Sequence, residues 1–222
     1  MCKAMKGPKI SSDQVKTLLK TPFLNVVDLQ YAPGRHYYNA TRKAPNQLPA
    51  LKSDDAFRAM LPDAVTCVVI LRTPGIAPRL LLLREYRYPA GRFLLSPPAG
   101  LLDPEDLETD CPLLSAACRE IAEETGITAA PARAEVINPL LFSSPGLTDE
   151  SNGLVLAVYD LPDTDMLSQQ GAVGSECFAG FRLLTRDEAE AFLRRGRDEE
   201  GNYYSVYTWA ALSWFVGFES GD

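Results

Sequence analysis

The sequence predicts an α+β fold: a mixed β-sheet sandwiched between helices, preceded by an N-terminal pair of antiparallel strands. Two continuous apolar runs, residues 64–72 and 79–87, flank Thr73-Pro74-Gly75 and read as the strands of a hairpin. A helical pattern fills residues 112–125 and stops at Gly126. Strands and helices alternate irregularly along the rest of the chain. Neither a G-x-G-x-x-G turn nor a G-x-x-x-x-G-K-[ST] loop occurs, which sets aside Rossmann and P-loop architectures.

Taken in order, residues 1–22 carry Gly7-Pro8 and a weakly helical stretch at 13–20. Residues 23–31 and 36–42 are rich in β-formers and meet across Pro33-Gly34, so they read as an antiparallel pair. Pro45, Pro49 and Pro62 make residues 43–63 a loop with at most one short turn. After the central hairpin, residues 93–96 form a short strand leading into a backbone turn at Pro98-Ala99-Gly100. An acidic loop over 103–111 precedes the helix, which opens on Pro112 and closes on a glycine suited to a left-handed cap. Residues 133–142, 152–161 and 176–184 are further strands. Thr185 with Glu188 three residues on is a capping box for a helix to Arg195. Residues 203–218 form a last helix, with Trp209, Leu212, Phe215 and Val216 expected on its core side.

Composition narrows the function classes. At 46% hydrophobic and 23% charged the chain is an ordinary globular one. A formal net charge of -7 argues against general nucleic-acid binding, which needs a basic face, though a metal ion would still allow a nucleotide substrate. No run approaches the length of a membrane span, and no apolar signal core occurs at the N-terminus, so a cytoplasmic location is expected. The cysteines (Cys2, Cys67, Cys111, Cys118, Cys177) are odd in number and scattered, which fits reduced thiols. His36 is the only histidine, and its place after Pro33-Gly34 reads as a surface or turn residue rather than a nucleophile's partner.

The chemistry gathers on the helix at 112–125. Glu120 stands three residues before Glu123 and four before Glu124, so all three carboxylates can share one face, with Ala116, Ala117 and Ile121 on the buried side. Such a face is either solvated or holds a hard divalent cation, which turns like-charge repulsion into coordination. The turn at Pro98-Ala99-Gly100 would add backbone oxygens. A Mg²⁺ or Mn²⁺ ion so held bridges phosphate oxygens and lowers the pKa of a bound water, suiting attack of water on a pyrophosphate.

Gly100 followed by Arg119-Glu120-Ile121-Ala122-Glu123-Glu124-Thr125-Gly126-Ile127 resembles the Nudix box, whose tail is Arg-Glu-aliphatic-x-Glu-Glu-x-Gly-aliphatic. The resemblance implies the Nudix fold and Mg²⁺-dependent (or Mn²⁺-dependent) hydrolysis of a nucleoside diphosphate linked to another group. It implies Glu120 and Glu124 as metal ligands, the Ala99 carbonyl as a further ligand, and Glu123 and Glu120 among the catalytic carboxylates. Most of residues 23–218 is similar to the ADP-ribose pyrophosphatase branch. Arg87, in Arg84-Glu85-Tyr86-Arg87-Tyr88-Pro89, resembles that branch's arginine near the nucleotide. Ser144-Pro145-Gly146 with Glu150 resembles its selectivity loop, so Pro145 and Glu150 are substrate candidates, as is Arg42. Glu176 matches an acidic loop that supplies a metal ligand or the base. The early strands resemble those exchanged between subunits, implying a homodimer. In this reading residues 1–22 are an arm, 23–63 a dimerising strand pair and loop, and 64–222 the hydrolase domain.

Three positions depart from the pattern. The loop from Gly100 to Arg119 is longer than the family's, and Cys111 stands where the first glutamate of the box is expected. Glu105, Glu108 or Asp110 would then substitute as the brace for Arg119. Ser96 replaces a glutamate common in the branch, which keeps UDP-glucose or GDP-mannose type substrates open beside ADP-ribose. A non-catalytic nucleotide-sensing module is the alternative outside enzymes.

Overall fold

The computed structural model describes residues 7–171 and 177–217. The chain divides into two compact units, Met1–Asp63 with Leu140–Asn152, and Ala64–Pro139 with Gly153–Asp222.

The first unit is built on a three-stranded antiparallel sheet, β1 (Val15–Lys20), β2 (Asn25–Ala32) and β3 (Arg35–Thr41), in that order. The expected β2–β3 pair forms, and its turn uses Gly34 at φ 66°, a left-handed conformation that glycine adopts at no steric cost. The weakly helical reading of residues 13–20 is corrected. Ser12–Gln14 make one 3-10 turn, and the following residues pair with β2 as a strand. Tertiary pairing overrides a weak local preference here. The loop after β3 holds slightly more structure than expected, a 3-10 turn at Pro49–Leu51 and a short helix α1 (Asp54–Arg58). Lys43 and Asp63 pair within this unit, and Asp63 also accepts from Ser151 N at 3.0 Å. His36 Nδ1 lies 2.8 Å from Asp28 Oδ2, a part-exposed ring beside a buried carboxylate.

The second unit contains strands β4 (Ala64–Thr73), β5 (Ile76–Arg87), β6 (Arg92–Ser96), β7 (Ala99–Leu101), β8 (Arg133–Phe142), β9 (Ser151–Asp160) and β10 (Phe178–Leu184). They run in the order β10-β5-β4-β9-β8, with β6 on β5 and β7 on β4, and the far ends of β8 and β9 belong to the first unit. The apolar runs of β4 and β5 are uninterrupted because both faces of the sheet are covered. Val65, Cys67, Val69 and Leu71 of β4 pack with Leu113, Ala116, Ala117 and Ile121 of helix α2 (Pro112–Thr125). Helix α4 (Val206–Gly217) packs against β4 and β6, with α3 (Arg186–Arg195) beside it, so helices flank the sheet as predicted. Thr208 of α4 donates to Leu95 O at 2.8 Å. Full burial of a side chain such as Ile121 contributes about 1.5–3 kcal/mol.

Two details differ from expectation. Pro98-Ala99-Gly100 is not a free turn, since residues 99–101 are a short strand paired with Ala64, Val65 and Thr66. Trp209 is exposed, whereas Leu212 and Phe215 are buried as expected. No helix among the described residues is long and apolar enough to cross a membrane.

Candidate metal centre

Helix α2 begins at Pro112, whose missing N–H falls where no intrahelical partner exists anyway. Its apolar residues face the sheet and Gly126 closes it at φ 76°, donating to Ala122 O at 3.0 Å. This registers Glu120 and Glu124 above strand β7, both almost completely buried.

The fit between helix and strand is close. Glu124 Oε2 accepts from Ala99 N at 3.1 Å. The Glu120 carboxylate lies on Gly100, where a Cβ would stand 2.0 Å from both Cδ and Oε1 and 2.3 Å from Oε2. Only glycine leaves room for that carboxylate. Glu123, on the same helix, is much more exposed and stands 3.5 Å from Arg119 Nη1.

Arg119 is the electrostatic hub. Its guanidinium donates to Glu120 Oε1 at 2.7 Å, to Leu101 O at 2.8 Å and to Asp106 Oδ2 at 2.9 Å, with Asp103 at 3.4 Å. Burial works to lower its pKa, but the hydrogen bonds and charges of Asp106 and Glu120 outweigh that and raise it above the ordinary value.

The brace for Arg119 is Asp106, not Glu105, Glu108 or Asp110, all three of which are exposed. A 3-10 turn at Asp106–Glu108 carries Asp106 inward. There its carboxylate accepts from Arg119, from Ser115 Oγ at 2.8 Å and from Asp103 N at 2.9 Å. Burial would raise the Asp106 carboxyl, yet Arg119, the Asp103 N–H and Ser115 together hold it below the usual carboxylate range. Asp106 is the functional residue that sequence reasoning missed. Its only signal was its place in an acidic loop of several carboxylates.

The donor set suits a hard cation. Glu120 and Glu124 are two buried carboxylates against one stretch of backbone, and oxygen donors of this kind are what Mg²⁺ and Mn²⁺ prefer. Among the described residues no three His, Cys, Asp or Glu side chains gather in a metal-holding group. Glu176 lies outside the described residues. The buried Cys67 thiol nearby is pushed well up, first by burial and then by the charges of Glu124 and Glu120.

The remaining substrate candidates fall in two places. Arg87 ends β5 in the second unit, half exposed, with Nη2 2.6 Å from Glu85 Oε2. Arg42, Pro145 and Glu150 belong to the first unit, where Arg42 Nε stands 3.5 Å from Glu150 Oε1. Pro145 lines a cavity of about 160 Å³ with Tyr37, Asn39, Phe142 and Asp149. Ser96 is buried in β6 opposite Leu83.

A NUDIX domain model matches residues 60–206. The chain is 36% identical over 98 residues to "Putative nudix hydrolase 2" of Caenorhabditis elegans, covering 44% of this chain and 40% of that protein. It is 32% identical over 110 residues to an uncharacterized Nudix hydrolase of Schizosaccharomyces pombe, covering 49% of each. The matched stretches thus span less than half the length of these curated relatives. The crystal structure of an ADP compounds hydrolase superposes with a TM-score of 0.56 over 97% of both chains at 17% identity, a likeness of fold. The fold, the box on α2 and the span of the domain match agree, and the chain belongs to the Nudix family.

Proposed function

We propose that this protein is a hydrolase that, with a divalent metal ion, cleaves the pyrophosphate of a nucleoside diphosphate sugar, ADP-ribose yielding AMP and ribose 5-phosphate being the first candidate. The observation that carries this reading is the burial of Glu120 and Glu124 together against Ala99 and Gly100. Two adjoining buried carboxylates are costly without compensating positive charge; Arg119 offsets part of it at Glu120, and a divalent ion would compensate the pair.

In this proposal Glu120 and Glu124 hold Mg²⁺ or Mn²⁺, with the Ala99 carbonyl and Glu176 as further ligands. The ion supplies charge neutralisation at the pyrophosphate and a water of lowered pKa. The chain's own residues set the geometry. Arg119 fixes Glu120 Oε1, and the Ala99 N–H fixes Glu124 Oε2. Glu123, open to solvent, is a proton acceptor in reach of the same face, with Glu176 as the other candidate base. Water adds to one phosphorus, the bond to the bridging oxygen breaks, and a proton is released. Arg87 is assigned to the nucleotide, and Arg42, Pro145 and Glu150 to selectivity. Residues 64–222 form the hydrolase domain and residues 23–63 the dimerising part.

One observation favours a second reading of the sugar nucleotide. Ser96 stands where the ADP-ribose branch commonly has a glutamate, so UDP-glucose or GDP-mannose types belong in the test. The test is turnover of a nucleotide-sugar panel with Mg²⁺, with products identified. Cleavage of ADP-ribose is expected, and loss of at least about 100-fold in Glu124→Gln. Undiminished hydrolysis in that variant would remove the metal centre from α2. Binding without turnover across the panel would favour the sensing module.

A further inference from the structure

The far end of helix α2 is held by a loop. A helix leaves the carbonyls of its last turn without intrahelical partners. Here the connection between β9 and β10 meets them. Ser168 N donates to Thr125 O at 2.9 Å. Gly171 lies so close to Glu123 that an added Cβ would stand 2.3 Å from its carbonyl oxygen, 3.0 Å from its carbonyl carbon and 3.1 Å from its Cα. These are backbone atoms of a packed helix and cannot give way as a side-chain tip would.

The same loop is fastened to β10. That strand has an irregularity between Phe178 and Phe181, where Gly180 takes φ 95°. The Gln169 side-chain amide satisfies both backbone groups of Gly180, accepting from its N–H at 2.8 Å and donating to its carbonyl at 3.2 Å. Because β10 is an edge strand, a side-chain amide here takes the place of a neighbouring strand.

We propose that residues 168–171 are a clamp that sets the carboxylate helix over β7, with Gln169 and Gly171 as positioning residues for Glu120 and Glu124. This rests on the metal-site reading above. The tolerance is small, because the Glu120 carboxylate abuts Gly100 and Glu124 Oε2 accepts from Ala99 N at 3.1 Å. Near its middle, the helix is tied through Ser115 and Arg119 to Asp106. Releasing the clamp lets the C-terminal turn pivot about that tie. Glu124, farther from it, loses its place before Glu120 does.

The experiment compares Gln169→Ala and Gly171→Ala with Gln170→Ala, an exposed neighbour, in the full-length protein. Amide exchange at residues 122–126, Mn²⁺ binding by electron paramagnetic resonance and steady-state kinetics are measured together. Both clamp variants are expected to exchange about tenfold faster over that turn and to bind Mn²⁺ about tenfold more weakly. The kcat should fall while the nucleotide KM stays within about twofold. Gln169→Glu, which keeps the acceptor for Gly180 N–H, should recover part of the loss. A lowered Tm with wild-type exchange and Mn²⁺ affinity would overturn the clamp as a positioning device. If the wild type binds Mn²⁺ but cleaves no nucleotide sugar, the substrate reading fails and exchange and affinity still decide the clamp. A wild type that binds no Mn²⁺ removes both.

Discussion

Asp106 controls the carboxylate helix without standing on it. Its carboxylate touches Arg119 and Ser115, eighth and fourth in a helix that starts at Pro112, and so ties the loop to α2 at two points. Through Arg119 it also fixes Glu120 Oε1. Asp106→Asn keeps the shape and removes the charge. It is expected to cost about 1.5–3 kcal/mol in stability, since a charged hydrogen bond to a partly buried guanidinium is lost. Activity should fall by about 10- to 100-fold, as for residues that orient a metal ligand. Glu105→Gln and Glu108→Gln, both exposed, should match the wild type in the same denaturation and turnover assays. Equal losses in all three variants would mean that the loop's net charge, rather than Asp106, matters.

At the scale of the element, α3 shows how a cap becomes a pH response. Thr185 Oγ1 accepts from Glu188 N at 3.2 Å while Glu188 Oε2 accepts from Thr185 N at 2.8 Å, and Arg182 adds a bond to Glu188 Oε1 at 2.8 Å. Arg182 first, then the Thr185 N–H, bring the Glu188 carboxyl down to about 2 against some opposition from burial. A depressed carboxyl stabilises the fold above its unfolded pKa, near 4.5, and that contribution is lost as pH falls toward its folded value. The Tm gap between wild type and Glu188→Gln should therefore be constant above about pH 5 and close between about pH 4.5 and 2. A gap that persists at the lowest pH would assign the effect to packing. The gap should be small, because the pair is partly solvent-screened. This capping box was readable from Thr185 and Glu188 alone, as was α2 from Pro112, its apolar face and Gly126. Local chemistry decides those elements. Strand β1 was not readable, because five of its six residues are exposed and nothing but pairing with β2 makes it extended. Asp106 escaped for a related reason. An acidic loop offers several carboxylates of equal standing, and only the turned backbone selects the one that goes inward. Ala99 and Gly100 were legible as neighbours of the site, but their strand pairing with β4 depends on residues more than thirty positions away.

Across the whole molecule, apolar burial is uneven. The larger unit closes its sheet with α2 on one face and α4 on the other, whereas the first unit leaves Leu18, Leu19, Tyr38 and above all Phe23, 81% exposed, on or beside its three-stranded sheet. Exposed apolar side chains of that size on or beside one small sheet are the surface the proposed dimer would cover. A second copy of the chain is the proposed partner, with the N-terminal strands exchanged. Light scattering behind size exclusion should then give twice the 24.4 kDa chain mass at micromolar concentration. Leu19→Asp with Phe23→Asp should give the monomer, because a desolvated charge opposes association at each site. Both residues are exposed in the single chain, so the far-ultraviolet circular dichroism of the variant should be unchanged. A monomeric wild type would remove the dimer from the proposal. A variant that stays dimeric would move the interface off this sheet. If the variant is monomeric and still cleaves the nucleotide sugar at the wild-type rate, the carboxylate helix works without its partner. A rise in KM with kcat unchanged would instead place part of the substrate's binding surface, for which Arg42, the residue after β3, is a candidate, in the assembled dimer.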